Sequence, residues 1–342
     1  EYKPDPENGV PGYRGWTLNG KPWRYESDEN RDPMPDELCV AWSKKVLNRK
    51  HDQPFVLFTG LVRTHTPLYA PKKYFDRFPL AEIPLPATIA DDLEDCAPAL
   101  GDRTLYGFRR FQMLHKHPDR PQLYRKWLQA YMACVSFIDD QVGDLLAALE
   151  ASPHKDNTIV IFTSDHGFHM GEKESLYKQS LWDGATRIPL IVSGLEGMAQ
   201  GTACRHPVSW IDLYPTLNEL CGLPAKPNRS GKGYELEGHS LKPLLLDPEA
   251  GTWSGPKVAI TALPGKDHSQ HKKFEGSLFP HFSVRSQDWR YSLASTGEEE
   301  LYEYEHDSRG WHNLVGYPEH ADVQKRLRVS IPSSTFFTST SS

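Results

Sequence analysis

The feature that most constrains this chain is a long apolar helical stripe followed, after a short turn, by a β-branched run with a polar tip. From Leu123 to Glu150, the residues Trp127, Leu128, Tyr131, Val135, Ile138, Val142, Leu145, Leu146 and Leu149 recur at steps of three and four, which predicts one helix with one apolar face. It stops before Ser152-Pro153. Thr158–Thr163 then reads as a strand that closes in Ser164-Asp165-His166-Gly167. Helix, turn, strand and polar tip in that order predict an α/β sheet.

Other segments fit around this unit. Phe55–Leu61 is a short continuous apolar run, which predicts a strand buried on both faces of a parallel sheet, opening into Arg63-Thr64-His65-Thr66-Pro67. Leu190–Ser193 predicts a third strand behind Pro189. Glu37–Asn48 reads as a helix, and a further helix has Asp212 as its N-cap, Pro215 in its first turn and Gly222 at its left-handed end. Residues 79–120, rich in proline and charge, predict a long surface excursion that could line a cleft. Beyond residue 250, short β-prone pieces at 282–285, 289–293 and 300–304 predict a small antiparallel sheet, with a frayed or edge tail from Ser330. The expected domains are therefore 1–250 and 251–342.

Composition removes several function classes. The net charge of −6 lacks the basic excess that favours nucleic acid, and no apolar run approaches the roughly 18 residues of a membrane span. Cys39, Cys96, Cys134, Cys204 and Cys221 contain no C-x-x-C pair, so neither a zinc ribbon nor a dithiol centre is indicated. Residue 1 is Glu with no apolar leader after it, so a targeting peptide is expected to be absent or to lie outside this sequence.

The candidate chemistry sits at strand ends, where open α/β sheets place their ligands. Asp165 offers an anionic oxygen beside the His166 imidazole, a pair suited to a divalent cation, although Asp-His-Gly also serves as an ordinary turn. Lys178 follows a loop through Gly171–Tyr177 that looks able to fold back over the strand tip. Its ammonium could clamp an ester oxyanion or remain a solvated surface charge. His65 could donate a proton to a leaving alkoxide, or be a turn histidine. Arg63, His169, Lys173 and Arg285 are candidate substrate contacts, with surface charge or turn as the alternative. Asp139-Asp140 reads as a solvated or capping pair, His268, His271 and His281 as structural, and Asn228-Arg229-Ser230 as a chance glycosylation triplet.

The string Thr163–Gly167, then Gly171-Glu172, Lys178 and Ala185–Ile191, resembles the second half of the formylglycine-dependent (type I) sulfatases, with Asp-His as in the iduronate-2-sulfatase-like branch. Phe58–Pro67, Tyr131–Glu150, Asp212–Leu217, Gly238–Leu241, Glu300–Asp307 and Asn313-Leu314 follow in family order. The resemblance implies an alkaline-phosphatase-like α/β fold, with residues 1–250 as the later part of the catalytic domain. It implies that Asp165 and His166 bind Ca2+, that Lys178 contacts sulfate, and that His65 binds sulfate or protonates the leaving oxygen. The implied activity is hydrolysis of sulfate monoesters on a sulfated carbohydrate, in an extracellular, periplasmic or lysosomal setting. One departure stands out: the nucleophile motif (Cys or Ser)-x-Pro-x-Arg and the upstream Asp-Asp metal pair do not occur. The formylglycine is therefore expected from a missing N-terminal segment or a second chain. Alternatives are a phosphomonoester or phosphonate hydrolase of the same superfamily and an inactive carbohydrate-binding fragment.

Overall fold

The computed structural model describes residues 17–18, 21–22, 31–226, 235–249, 252–264 and 280–332. The chain packs as two compact units, residues 1–86 with 113–158, and residues 87–112 with 159–342. The boundary read at residue 250 falls inside the second unit. His268, His271, Asn228–Ser230 and the tail beyond 332 lie outside the described residues.

In the first unit, a short antiparallel pairing joins β1 (Thr17–Leu18) to β2 (Lys21–Pro22). Helix α1 (Pro35–Leu47) starts on a proline that gives up no helical hydrogen bond. It carries Asp36 and Glu37 in its first turn and Lys44 and Lys45 in its last, all favourable to the helix dipole. The Met34 N–H donates to the Glu37 carboxylate at 2.6 Å, and Asp36, Val40, Ser43 and Leu47 form the buried face. The long α4 (Arg120–Glu150) packs against α1 and against helix α2 (Lys72–Asp76).

The buried face of α4 differs from the sequence reading. Trp127 and Leu128 are buried, but Val135 and Leu146 are each 46 % exposed, and the inner face runs through Tyr124, Ala130, Ala133, Cys134, Phe137 and Gln141. Small residues at 130, 133 and 134 let neighbouring backbone approach, which the larger residues of the apparent stripe would prevent. Asp140 pairs with Arg77 at 2.9 Å, the Arg77 hydrogen bond outweighing burial and holding its carboxyl below the usual range. The expected strand at Phe55–Leu61 does not form. The run has no ladder partner among the described residues, Phe58 is 80 % exposed, and a Ser43 Oγ to Thr59 Oγ1 hydrogen bond of 2.8 Å ties it down. An apolar run becomes a buried strand only when strands flank it.

In the second unit, β3 (Val160–Thr163) pairs with β6 (Leu190–Ser193) in antiparallel register, Val160 opposite Ser193 and Thr163 opposite Leu190. Between them lie the short hairpin β4 (His169–Met170) and β5 (Leu176–Tyr177) and the one-turn α5 (Asp183–Thr186). Helix α6 (Leu213–Leu220) ends at Gly222 with φ 64°, as its sequence implies. Asp212 does not cap it through its side chain; the carboxylate instead accepts the Ser209 and His239 N–H groups at 2.7 and 2.8 Å. Helix α7 (Lys242–Leu246) follows.

The stretch 79–120 is not an open excursion. It contains helix α3 (Tyr106–His115), and Leu93, Cys96, Ala97, Leu100 and Phe108 form a buried cluster with Leu181, Trp182 and Ala294. The C-terminal sheet runs in the order β10-β9-β8-β7: Glu299–Glu303, Trp289–Leu293, His281–Arg285 and Ala259–Leu263, all antiparallel. One face packs Val284, Tyr291 and Leu301 against Leu327 of α8 (Ala321–Arg328). From the other face, Glu300 accepts the Trp182 indole N–H at 3.0 Å and the Ala97 N–H at 2.9 Å, with Arg290 at 3.7 Å. His281 is structural: it is 5 % exposed and its Nδ1 accepts the Ser295 N–H at 2.9 Å.

Candidate active site

Strand β3 delivers Asp165 and His166 to a tip that is held from several sides. The Ser164 carbonyl accepts the Trp210 indole N–H at 2.7 Å, and the Gly167 N–H donates to Ala185 O at 2.7 Å. A Cβ at residue 167 would sit 2.2 Å from Gly184 O, and one at residue 184 would sit 2.5 Å from Glu172 Oε1, so both approaches require glycine. His166 Nδ1 lies 2.7 Å from Gly167 O; a carbonyl only accepts, so Nδ1 carries a proton, and the lone pair of the neutral tautomer falls on Nε2. That Nε2 is 3.4 Å from Asp165 Oδ2, on a carboxylate side chain 79 % exposed. A carboxylate oxygen and an imidazole lone pair at this spacing fit one shared divalent cation, and the carbonyl behind the ring fixes its orientation. They are two donors, fewer than the six to eight oxygens a calcium ion takes.

Lys178 follows β5 and is half-buried. Its loop is fixed by side chains that face inward. His169 is 0 % exposed, with Nδ1 2.8 Å from Glu172 Oε1 and Nε2 2.5 Å from Ser180 Oγ. Glu172 also accepts the Met170 N–H at 2.9 Å. Burial pushes the Glu172 carboxyl up, but the hydrogen bond and charge of His169 and the backbone N–H groups outweigh it and leave the pKa below 4.5. A depressed carboxyl stabilises the fold above the unfolded pKa, and that contribution disappears as pH falls through the folded value. Accordingly, the melting-temperature gap between the protein and Glu172→Gln is expected to be full at pH 7 and to close as the pH falls through the lowered pKa of the folded carboxyl. A gap independent of pH would contradict this.

His65 belongs to the first unit. It is exposed, with Nδ1 2.6 Å from Thr66 O, on a turn built around the buried Arg63. Arg63 donates to His65 O at 3.0 Å and to Pro67 O. Its Nε is 3.7 Å from Asp36 Oδ2, and Asp36 Oδ1 accepts the Val62 and Arg63 N–H groups at 2.5 and 3.0 Å.

Of the four candidate substrate contacts, three are buried supports rather than surface groups: Arg63 at 5 %, His169 at 0 % and Lys173 at 3 % exposure. Arg285 pairs with Asp183 at 3.3 Å. The structure brings Asp165 and His166 together and places Lys178 on the braced loop that follows. Sequence reasoning passed over Asp92, Glu172 and Ser180. Gly171-Glu172 signalled the second of these through the family-like string, whereas Asp92 meets Lys173 from 81 residues away and leaves no local pattern. Among the described residues, the grouped metal-type side chains are Glu303, Glu305 and His306, away from this tip in sequence. A polar cleft of about 500 Å³ in the first unit, lined by Glu37, Lys73, Tyr74, Asp139, Asp140 and Asp144, contains none of the candidate residues.

Residues 5–223 match the sequence profile of the family described as Sulfatase. A sulfatase of Formosa agariphila is 33 % identical over 302 residues, 87 % of this chain and 54 % of the relative. Human iduronate 2-sulfatase is 30 % identical over 311 residues, 76 % of this chain and 56 % of the relative. Thus the chain spans about half the length of these relatives. The solved phosphonate monoester hydrolase of Silicibacter pomeroyi superposes with a TM-score of 0.68 at 20 % identity, covering 96 % of this chain and 63 % of that one. This agreement supports the alkaline-phosphatase-like α/β architecture expected from the sequence. With the profile covering more than half of its residues, the chain belongs to the sulfatase family.

Proposed function

We propose that this chain is the larger part of a hydrolase acting on sulfate monoesters of a sulfated carbohydrate. The observation that carries the reading is the Asp165–His166 pair, 3.4 Å apart at a strand end, in a chain of the sulfatase family. The name of the human relative, iduronate 2-sulfatase, supports a sugar sulfate as substrate. Asp165 and His166 would hold Ca2+, which when bound would supply positive charge to offset that of the sulfate ester. Lys178 contacts the sulfate as a point charge, and His65 binds the sulfate or gives its proton to the alkoxide as the ester S–O bond breaks. A formylglycine carried by an N-terminal segment or a second chain would supply the nucleophile. The setting is extracellular, periplasmic or lysosomal; no helix among the described residues is long and apolar enough to cross a membrane.

A second reading, phosphonate or phosphate monoester hydrolysis, is favoured by the structural likeness to the phosphonate monoester hydrolase. The test is a matched pair of sulfate and phosphonate esters of one alcohol, assayed with the chain joined to its nucleophile-bearing segment. The expected result is a kcat/KM for sulfate at least about 100-fold higher, equivalent to ~2.7 kcal/mol of differential transition-state binding. The opposite order would establish the second reading. Sugar binding with neither activity would make the protein an inactive carbohydrate binder.

A further inference from the structure

The loop that presents Lys178 adopts an unusual backbone. Gly171, Lys173, Glu174 and Tyr177 have φ values of 122°, 52°, 47° and 71°, in the left-handed region, and only the first is glycine. Side chains tolerate such angles when the surroundings over-determine them. The principal support is Asp92. Its Oδ2 accepts the Lys173 N–H at 2.7 Å, its Oδ1 lies 2.8 Å from Lys173 Nζ, and its carbonyl accepts from Nζ at 3.1 Å. The two side chains are 2 % and 3 % exposed, and the Tyr302 ring lies 5.0 Å from the ammonium. On the next residue, Gln112 Nε2 donates to Glu174 at 2.9 Å. Lys173 therefore cannot reach a substrate. Replacing a buried ion pair by groups of similar volume is often neutral for stability, so a pair of this kind calls for an account beyond holding the fold.

We propose that Lys173 and Asp92 are positioning residues for Lys178: their ion pair sets the left-handed course of the loop and so the place from which Lys178 meets the oxyanion. This rests on the reading that Lys178 contacts the sulfuryl group. The test is a mutant cycle in the complete enzyme, combining Lys173→Met/Asp92→Asn with Lys178→Ala. In the wild-type background the paired substitution is expected to lower kcat/KM about 10- to 100-fold, as the loss of supports behind an active group does. Its melting temperature is expected to stay within a few degrees of wild type. In the Lys178→Ala background the same substitution is expected to change kcat/KM less than about twofold, because the group it positions is gone.

An equal loss in both backgrounds, or no loss in the first, overturns the proposal. If Lys178→Ala is itself silent, the assignment of Lys178 fails and the positioning proposal falls with it. Where the paired variant does not fold, Lys173→Gln/Asp92→Asn, which leaves no unpaired buried charge and keeps an acceptor for the backbone N–H at 173, carries the same cycle.

Discussion

Asp165→Ala in the complete enzyme is expected to lower sulfate-ester kcat by about 10²- to 10³-fold, the range seen when one electrostatic contact to a transition state is removed. The side chain is 79 % exposed and its recorded contacts are to the neighbouring His166, so the melting temperature is expected to stay at the wild-type value. The deletion leaves His166 Nε2 as the remaining donor of the pair, and an imidazole alone is a poor site for a hard cation. Steady-state rates measured against calcium concentration check this. The wild type is expected to lose activity on chelation and regain it with added calcium, and the variant is expected to respond to neither. Near-normal turnover by the variant would remove Asp165 from the mechanism.

The largest stability effect is expected in the first unit. Asp36→Ala removes the partner of Arg63 from a site where both side chains are 0–1 % exposed, and it orphans the Val62 and Arg63 N–H groups. Breaking a buried pair from one side costs about 3–5 kcal/mol, because the remaining charge has no solvent to turn to. Urea unfolding should show the midpoint falling with the slope unchanged. Asp36→Asn, which keeps an acceptor for the two amides, should lose less. A change below about 1 kcal/mol for the alanine variant would show that Arg63 finds another partner. Because Arg63 also grips the carbonyls of His65 and Pro67, the same substitution should lower turnover in molecules that remain folded.

Local signals made the helices α1 and α4, the strands β3, β6, β8, β9 and β10, and the glycine stop after α6 readable from sequence. Each depends on periodicity, β-branching or a cap within a few residues. The misreadings share a different cause. Phe55–Leu61 has the composition of a central strand, but strand formation depends on neighbours that composition does not encode. The stretch 79–120 looked like surface because its apolar residues are spaced among prolines and charges. They find their partners in Trp182 and Ala294, far along the chain. β7 was missed because Ala259 and Ala262 carry little β-branched signal. At the candidate site, Asp165, His166 and Lys178 lie just beyond β3 and β5, as their residue types and the runs before them suggest, whereas the strand expected before His65 does not form. Arg63, His169 and Lys173 looked equally available from sequence, and only their burial separates supports from groups that can meet a substrate.

The close approach of Gly167 to Gly184 bears on efforts to retarget this protein. With a Cβ at 167 only 2.2 Å from Gly184 O, and one at 184 only 2.5 Å from Glu172 Oε1, any randomised codon at either place sacrifices nearly every clone. A productive library would hold those two codons constant, along with that of Phe168, whose ring packs edge-on against Tyr177, and diversify the exposed Gln179 instead.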